Sequence, residues 1–139
     1  MRIPTHSILS VLCPTIALLF SPTGTHGQED VRRVALKSGE TVELRDYSFV
    51  QGNCVSIMVG TPGLDILQGP EEVTVTLKEA PVIRRDRGCS APVPGGKVVA
   101  TAGDIKEPKE AKLTIRLNYK TKDGPRQSAS VYLISLFPN

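Results

Sequence analysis

The sequence predicts an all-β chain: a small antiparallel β-sandwich of about seven strands, preceded by a removable N-terminal segment and closed by one disulfide. Three observations predict it. Short segments with a two-residue apolar period recur along the chain, Gly and Pro punctuate them at intervals of 8–12 residues, and no stretch sustains the 3.6-residue period of a helix.

Taken in order, Val31 to Leu36 and Thr41 to Val50 are two strands joined across Lys37-Ser38-Gly39-Glu40. In the second, Val42 and Leu44 are in phase while Tyr47 and Phe49 are not. A bulge or bend near Asp46 is therefore expected, because a one-residue slip sends the side chains to the other face. Cys54 to Val59 is a third strand, with Val55, Ile57 and Val59 on one side, bracketed by Gln51-Gly52-Asn53 and Gly60-Thr61-Pro62-Gly63. Glu72 to Lys78 alternates most cleanly, Val73, Val75 and Leu77 against Thr74, Thr76 and Lys78, as a half-buried strand does. Lys97 to Thr101 is a short strand. Asp104 to Ala111 has the composition of one helical turn, limited by Pro108.

Lys112 to Tyr119 turns Leu113, Ile115, Leu117 and Tyr119 inward. The turn Lys120 to Pro125 follows, with Asp123-Gly124 supplying its positive-φ position. Ser128 to Leu136 closes the chain and is apolar on both faces, Val131 and Leu133 on one, Tyr132, Ile134 and Leu136 on the other. That pattern belongs to an interior strand whose outer face is also covered or pairs with something.

The N-terminus reads as an export signal. Arg2 precedes an apolar run from Ile8 to Phe20, too short for a span of about 20 apolar residues and interrupted by Pro14. Thr25 and Gly27 suit the −3 and −1 positions of a cleavage site, so residues 1–27 form the signal peptide and 28–139 the β-sandwich domain; the rival cut lies near Thr23 or Thr25. Leu12 before Cys13 argues against a lipid anchor, and Arg32-Arg33 lies after the apolar run rather than before it, as a twin-arginine signal would need. The expected location is periplasmic or secreted.

Cleavage removes Cys13, His6 and His26. Two cysteines remain, and in an oxidising compartment Cys54 and Cys89 pair. The spacing is foreign to a C-x-x-C redox site. The domain keeps 16 basic and 14 acidic side chains, without the basic excess that phosphate-backbone binding requires, so no nucleic-acid partner is expected.

A domain without histidine lacks the imidazole that Ser-His-Asp and Cys-His nucleophiles need, and imidazole metal sites go with it. No P-loop, G-x-S-x-G, G-x-G-x-x-G or H-E-x-x-H is present. Carboxylate pairs are the remaining route to catalysis, with Asp65, Glu71 and Glu72 as candidates and Asp46 and Asp86 further off. Asp65 with Glu71 is also the pair considered for calcium, but the D-x-D-x-D spacing is missing. The bland reading makes Glu71-Glu72 solvated charge at a strand start and Asp65 the cap of a turn. The expectation is accordingly a non-enzyme without metal or cofactor.

The run Val93-Pro94-Gly95-Gly96-Lys97-Val98-Val99, with Leu113 to Tyr119, the Asp123-Gly124 turn and the Val131 to Leu136 strand, resembles the C-terminal half of bacterial immunoglobulin- or cadherin-like modules. It is also similar to small exported two-cysteine proteins of unassigned function in alphaproteobacteria. The resemblance covers about 45 residues, and the tryptophan that antibody-type domains pack on their bridge is missing here. It implies an immunoglobulin-like sandwich and a binding or structural role, with no catalytic residue carried over.

One segment stands out as a candidate ligand or partner loop: Ala80 to Gly96, where Arg84, Arg85 and Arg87 precede Cys89. Loops longer than about 12–15 residues are uncommon in compact domains and are often functional. A bridge to the Cys54 strand pre-organises such a loop for an anionic or protein ligand. The expected function is thus an exported non-catalytic binding or adaptor module acting through its loops or a sheet edge, with a protein partner in the cell envelope. A structural or accessory subunit of an envelope assembly is the alternative, and a carboxylate-only enzyme the third.

Overall fold

Alternating side chains in this sequence have to be buried on one side only, and two sheets facing each other meet that demand. A computed structural model describes residues 30–139, so the expected signal peptide and cleavage site, and Cys13, lie outside the described residues. Seven strands form: β1 (Val31–Lys37), β2 (Thr41–Tyr47), β3 (Gly63–Gln68), β4 (Val73–Glu79), β5 (Gly96–Ala102), β6 (Lys109–Thr121) and β7 (Gly124–Phe137). One sheet has the order β1-β7-β6-β3 and the other β2-β5-β4.

The core fills the space between them. Leu36, Leu113, Ile115, Leu117, Tyr132, Ile134 and Leu136 come from the first sheet, and Leu44, Tyr47, Val98, Ala100 and Ala102 from the second. Small residues on β5 face large ones on β6 and β7, which lets the two layers interdigitate.

Several expectations are corrected. The sandwich is antiparallel except at one seam, where β1 runs parallel to β7 from Val31↔Val131 to Lys37↔Phe137. The turn between β1 and β2 crosses from one sheet to the other, and Gly39 (φ +77°) makes the sharp reversal. Cys54 to Val59 is no regular strand, making only isolated bridges at Val50↔Ser56 and Met58↔Thr121. Asp65 caps no turn, because Gly63–Gln68 is the edge strand β3. Asp104 to Ala111 forms no helical turn: Pro108 leads into an extended chain that is already β6 at Lys109.

The phase break in β2 is a register shift between Glu43 and Arg45, slightly earlier than Asp46. Glu43 pairs with Val99 and Arg45 with Val98, so Leu44 is the extra residue. Leu44 and Arg45 consequently both turn toward the space between the sheets. β7 is interior between β1 and β6, with Val131 buried on its outer face between Val31 and Thr114.

Candidate functional site

The long connection between β4 and β5 is an ordered structure. Val82 and Val93 exchange both backbone hydrogen bonds, at 2.9 and 2.8 Å, and Ala80 N donates to Gly95 O. Farther out the chain makes one short 3-10 turn, Arg85–Arg87, ended by Gly88 at φ +74°. Cys89 is buried and joined to Cys54, which fixes the tip to the segment after β2.

Within this loop the three arginines part company. Arg85 and Arg87 are exposed. Arg84 turns inward, its side chain 22% exposed, and grips its own loop through Asp86 in a two-pronged contact, Nε to Oδ1 at 2.9 Å and Nη2 to Oδ2 at 2.8 Å. Its Nη1 donates to Ser48 Oγ at 3.1 Å. The guanidinium therefore ties the loop to the end of β2. Beside it, the Asp86 carboxyl is held down to about 2 by the Arg84 hydrogen bonds.

Arg84 forms one wall of a cleft of about 530 Å³ between the two sheets. The opposite wall is β7 at Ala129 to Tyr132, with Asp30 and Arg32 at the start of β1. Arg45 crosses the floor. Its Nη1 donates to Ser130 Oγ at 2.7 Å and Ser128 Oγ at 3.2 Å, and its Nε to Asp46 O. Among the described residues no carboxylate lies within ion-pair distance of Arg45 or Arg32, whereas Asp46 faces Lys97 and Asp86 faces Arg84. Arg45 and Arg32 thus have no direct ion-pair partner among the described residues, although Asp30, Asp46 and Asp86 line the same cleft and match its three arginines in number. Beneath them Tyr119 is buried, and desolvation raises its phenol pKa while Arg45 and Arg84 pull the other way.

A half-buried guanidinium held only by neutral acceptors can take a carboxylate or another planar oxyanion, because the hydroxyls of Ser128 and Ser130 can turn to share the new acceptor. Sequence reasoning found Arg84 and missed Arg45. A partial signal was present in the spacing: Leu44 and Tyr47 are both inward although three positions apart, which marks a phase break, and the register shift at Leu44 is what carries Arg45 to the inner side.

Of the carboxylates weighed for catalysis, Asp65, Glu72, Asp46 and Asp86 each sit against a cation. Asp65 accepts from Arg116 and Asn118, whose hydrogen bonds lower its pKa. Glu72 is lowered by Lys109. Glu71 is exposed at the head of β4. No group of three or more His, Cys, Asp or Glu side chains converges among the described residues.

A second cavity of about 650 Å³ lies under the loop's base, lined by Tyr47, Met58, Pro81, Pro92, Val93 and Pro94. Gly95 and Gly96 close over Tyr47 there. A Cβ on Gly96 would overlap the Tyr47 hydroxyl and Lys78 O, so the glycine pair is a packing requirement. Comparison with known families, with curated proteins and with solved structures finds no match to this chain.

Proposed function

We propose that this chain is an exported, non-catalytic binding or adaptor module of immunoglobulin-like type that captures an anionic group of its partner in the cleft between its sheets. The observation that carries the reading is Arg45, turned inward by the β2 bulge and held by Ser128 and Ser130 without a carboxylate partner among the described residues. Arg84, pinned by Asp86 and Ser48, supplies a second fixed guanidinium on the wall. Pre-organised arginines lose little freedom when an anion arrives, so the attraction is retained as affinity. The Cys54–Cys89 bridge supports the exported setting, since such bonds persist in oxidising compartments.

Acetate and succinate titrations followed by nitrogen-resolved NMR test the cleft. Saturable shifts at Arg45 Nε–H and the Ser130 amide, abolished in Arg45→Met, are expected. Shifts that rise linearly without saturation, or that persist in Arg45→Met, exclude the cleft as an anion site.

A further inference from the structure

The parallel seam leaves β7 half covered. β1 begins beside Val131, so among the described residues Gly124 to Ser130 has β6 on one side and no strand on the other. The phase of the ladder says which backbone groups are left over. Ser38 N donates to Phe137 O on the β1 side, and Lys120 O, opposite Pro125, points away from β7 to accept from Val59 N. Alternation then directs the N–H and C=O of Gln127 and Ala129 outward, and those of Arg126, Ser128 and Ser130 toward β6. The first outward position is Pro125, which has no N–H to offer.

Side chains sort in the same way. Ser128 and Ser130 project to the inner side, where Arg45 meets both hydroxyls. Arg126 shares their parity on β7, is exposed, and among the described residues has only Pro125 O as acceptor. A strand laid along this edge would place alternate side chains over Arg126 and Arg45. Those positions attract acids and repel lysine and arginine.

We propose that the open half of β7 takes an extended acidic peptide segment of a partner protein as an added strand, in line with β1, with its acidic side chains at alternate positions entering the arginine cleft. The inference rests on the cleft reading above and adds the mode and the class of partner. Main-chain hydrogen bonds to Gln127 and Ala129 give affinity, and the cleft gives selection. The edge has room for about six residues at roughly 3.3 Å each.

The test is selection of a displayed library of random ten-residue peptides on the oxidised protein, followed by anisotropy titration of the winners. Enrichment of β-branched residues alternating with Asp or Glu is expected. At least tenfold weaker binding is expected for Ala129→Pro, which removes an outward N–H without touching the β6 ladder, and separately for Arg45→Met. Gln127→Pro is the second edge variant should Ala129→Pro unfold. Winners that depend on Arg45 and ignore both proline variants leave the anion cleft standing and overturn strand addition. Winners that depend on the edge and ignore Arg45 overturn the acidic selection. Hydrogen exchange gives an independent check: Gln127 and Ala129 amides exchange freely in the unbound protein and become protected with peptide. Protection equal to that of Val131 in the unbound protein means the chain covers its own edge, which overturns the proposal.

Discussion

Arg45 of β2 donates to Ser130 of β7 at 2.7 Å, across the gap between two sheets that elsewhere meet through aliphatic and aromatic side chains. The contact is polar where the core is otherwise dry, and it exists because a single extra residue in β2 turns two neighbours inward together.

Replacing Arg45 by Met should separate folding from binding. The site is half-buried, so losing its neutral hydrogen bonds costs about 1 kcal/mol of stability, partly returned by the apolar replacement. Urea denaturation measures the first effect. Loss of saturable carboxylate binding, at least tenfold, measures the second.

Opening the bridge should weaken the whole domain. Cys54 and Cys89 are 35 positions apart, and closing a loop of that length restrains the unfolded chain by about 3–4 kcal/mol. Cys54 also holds φ +64°, a left-handed conformation that strains any residue with a Cβ. A Cys54→Gly/Cys89→Ala variant should therefore be more stable than Cys54→Ala/Cys89→Ala, by about 0.5–1 kcal/mol. Calorimetry of the two under identical conditions decides it.

Gly96→Ala should be severe and Gly39→Ala mild. A methyl at Gly96 meets the Tyr47 ring and backbone Lys78 O, neither free to move, and overpacking of this kind costs about 3 kcal/mol. Gly39 has open space but φ +77°, so alanine there costs about 1 kcal/mol. Thermal unfolding of both variants should show the ranking.

Tyr47→Phe should be neutral or stabilising. The Tyr47 ring is buried and its Oη has no hydrogen-bond partner among the described residues, so deleting the oxygen removes an unsatisfied group at no cost in packing. Burial, with Glu79 adding to it, also raises the Tyr47 phenol pKa above its ordinary value. Because the folded state then binds this proton more tightly, wild-type stability falls as pH rises past about 10, and the phenylalanine variant loses less. Stability curves from pH 8 to 11 check both statements.

Acid should loosen the arginine-bearing loop. The Asp86 carboxyl is depressed from its ordinary value to about 2, so its contribution is complete above the unfolded value and is lost as pH falls from about 4 to 2. Asp65 and Glu72 shift in the same direction, each beside its own cation. In Asp86→Asn the loop's share of this acid sensitivity disappears, and faster exchange of the Arg87 and Cys89 amides, which are bonded to Arg84 O at neutral pH, should mark the released turn.

Most strands were legible because their alternation is strict. Val73, Val75 and Leu77 on β4 and Leu113 to Tyr119 on β6 leave no doubt about which face is buried. β3 was not legible: Gly63-Leu64-Asp65-Ile66-Leu67-Gln68 has no clean period, being an edge strand with a shifted register, and its Asp65 is placed by Arg116 across the ladder. Cys54 to Val59 alternates as a strand does, yet the left-handed backbone at Cys54 and the bridge to Cys89 leave it only isolated pairings. The arginine cleft was half legible. Arg84 stood out by composition, whereas Arg45 depends on a bulge, and a local pattern reveals that a phase breaks without saying which side chain crosses.

The pairing of the first strand with the last has a mechanical consequence. β1 enters at Val31 and β7 leaves at Phe137, and because the two run parallel these points lie at opposite ends of one ladder. Tension applied between the ends of the domain pulls the strands past each other lengthwise. The rungs from Val31↔Val131 to Lys37↔Phe137 then bear the load together rather than peeling one at a time, and slow forced unfolding follows from a barrier that must break them collectively. A domain built this way can be held between two attachment points under strain and keep its cleft intact.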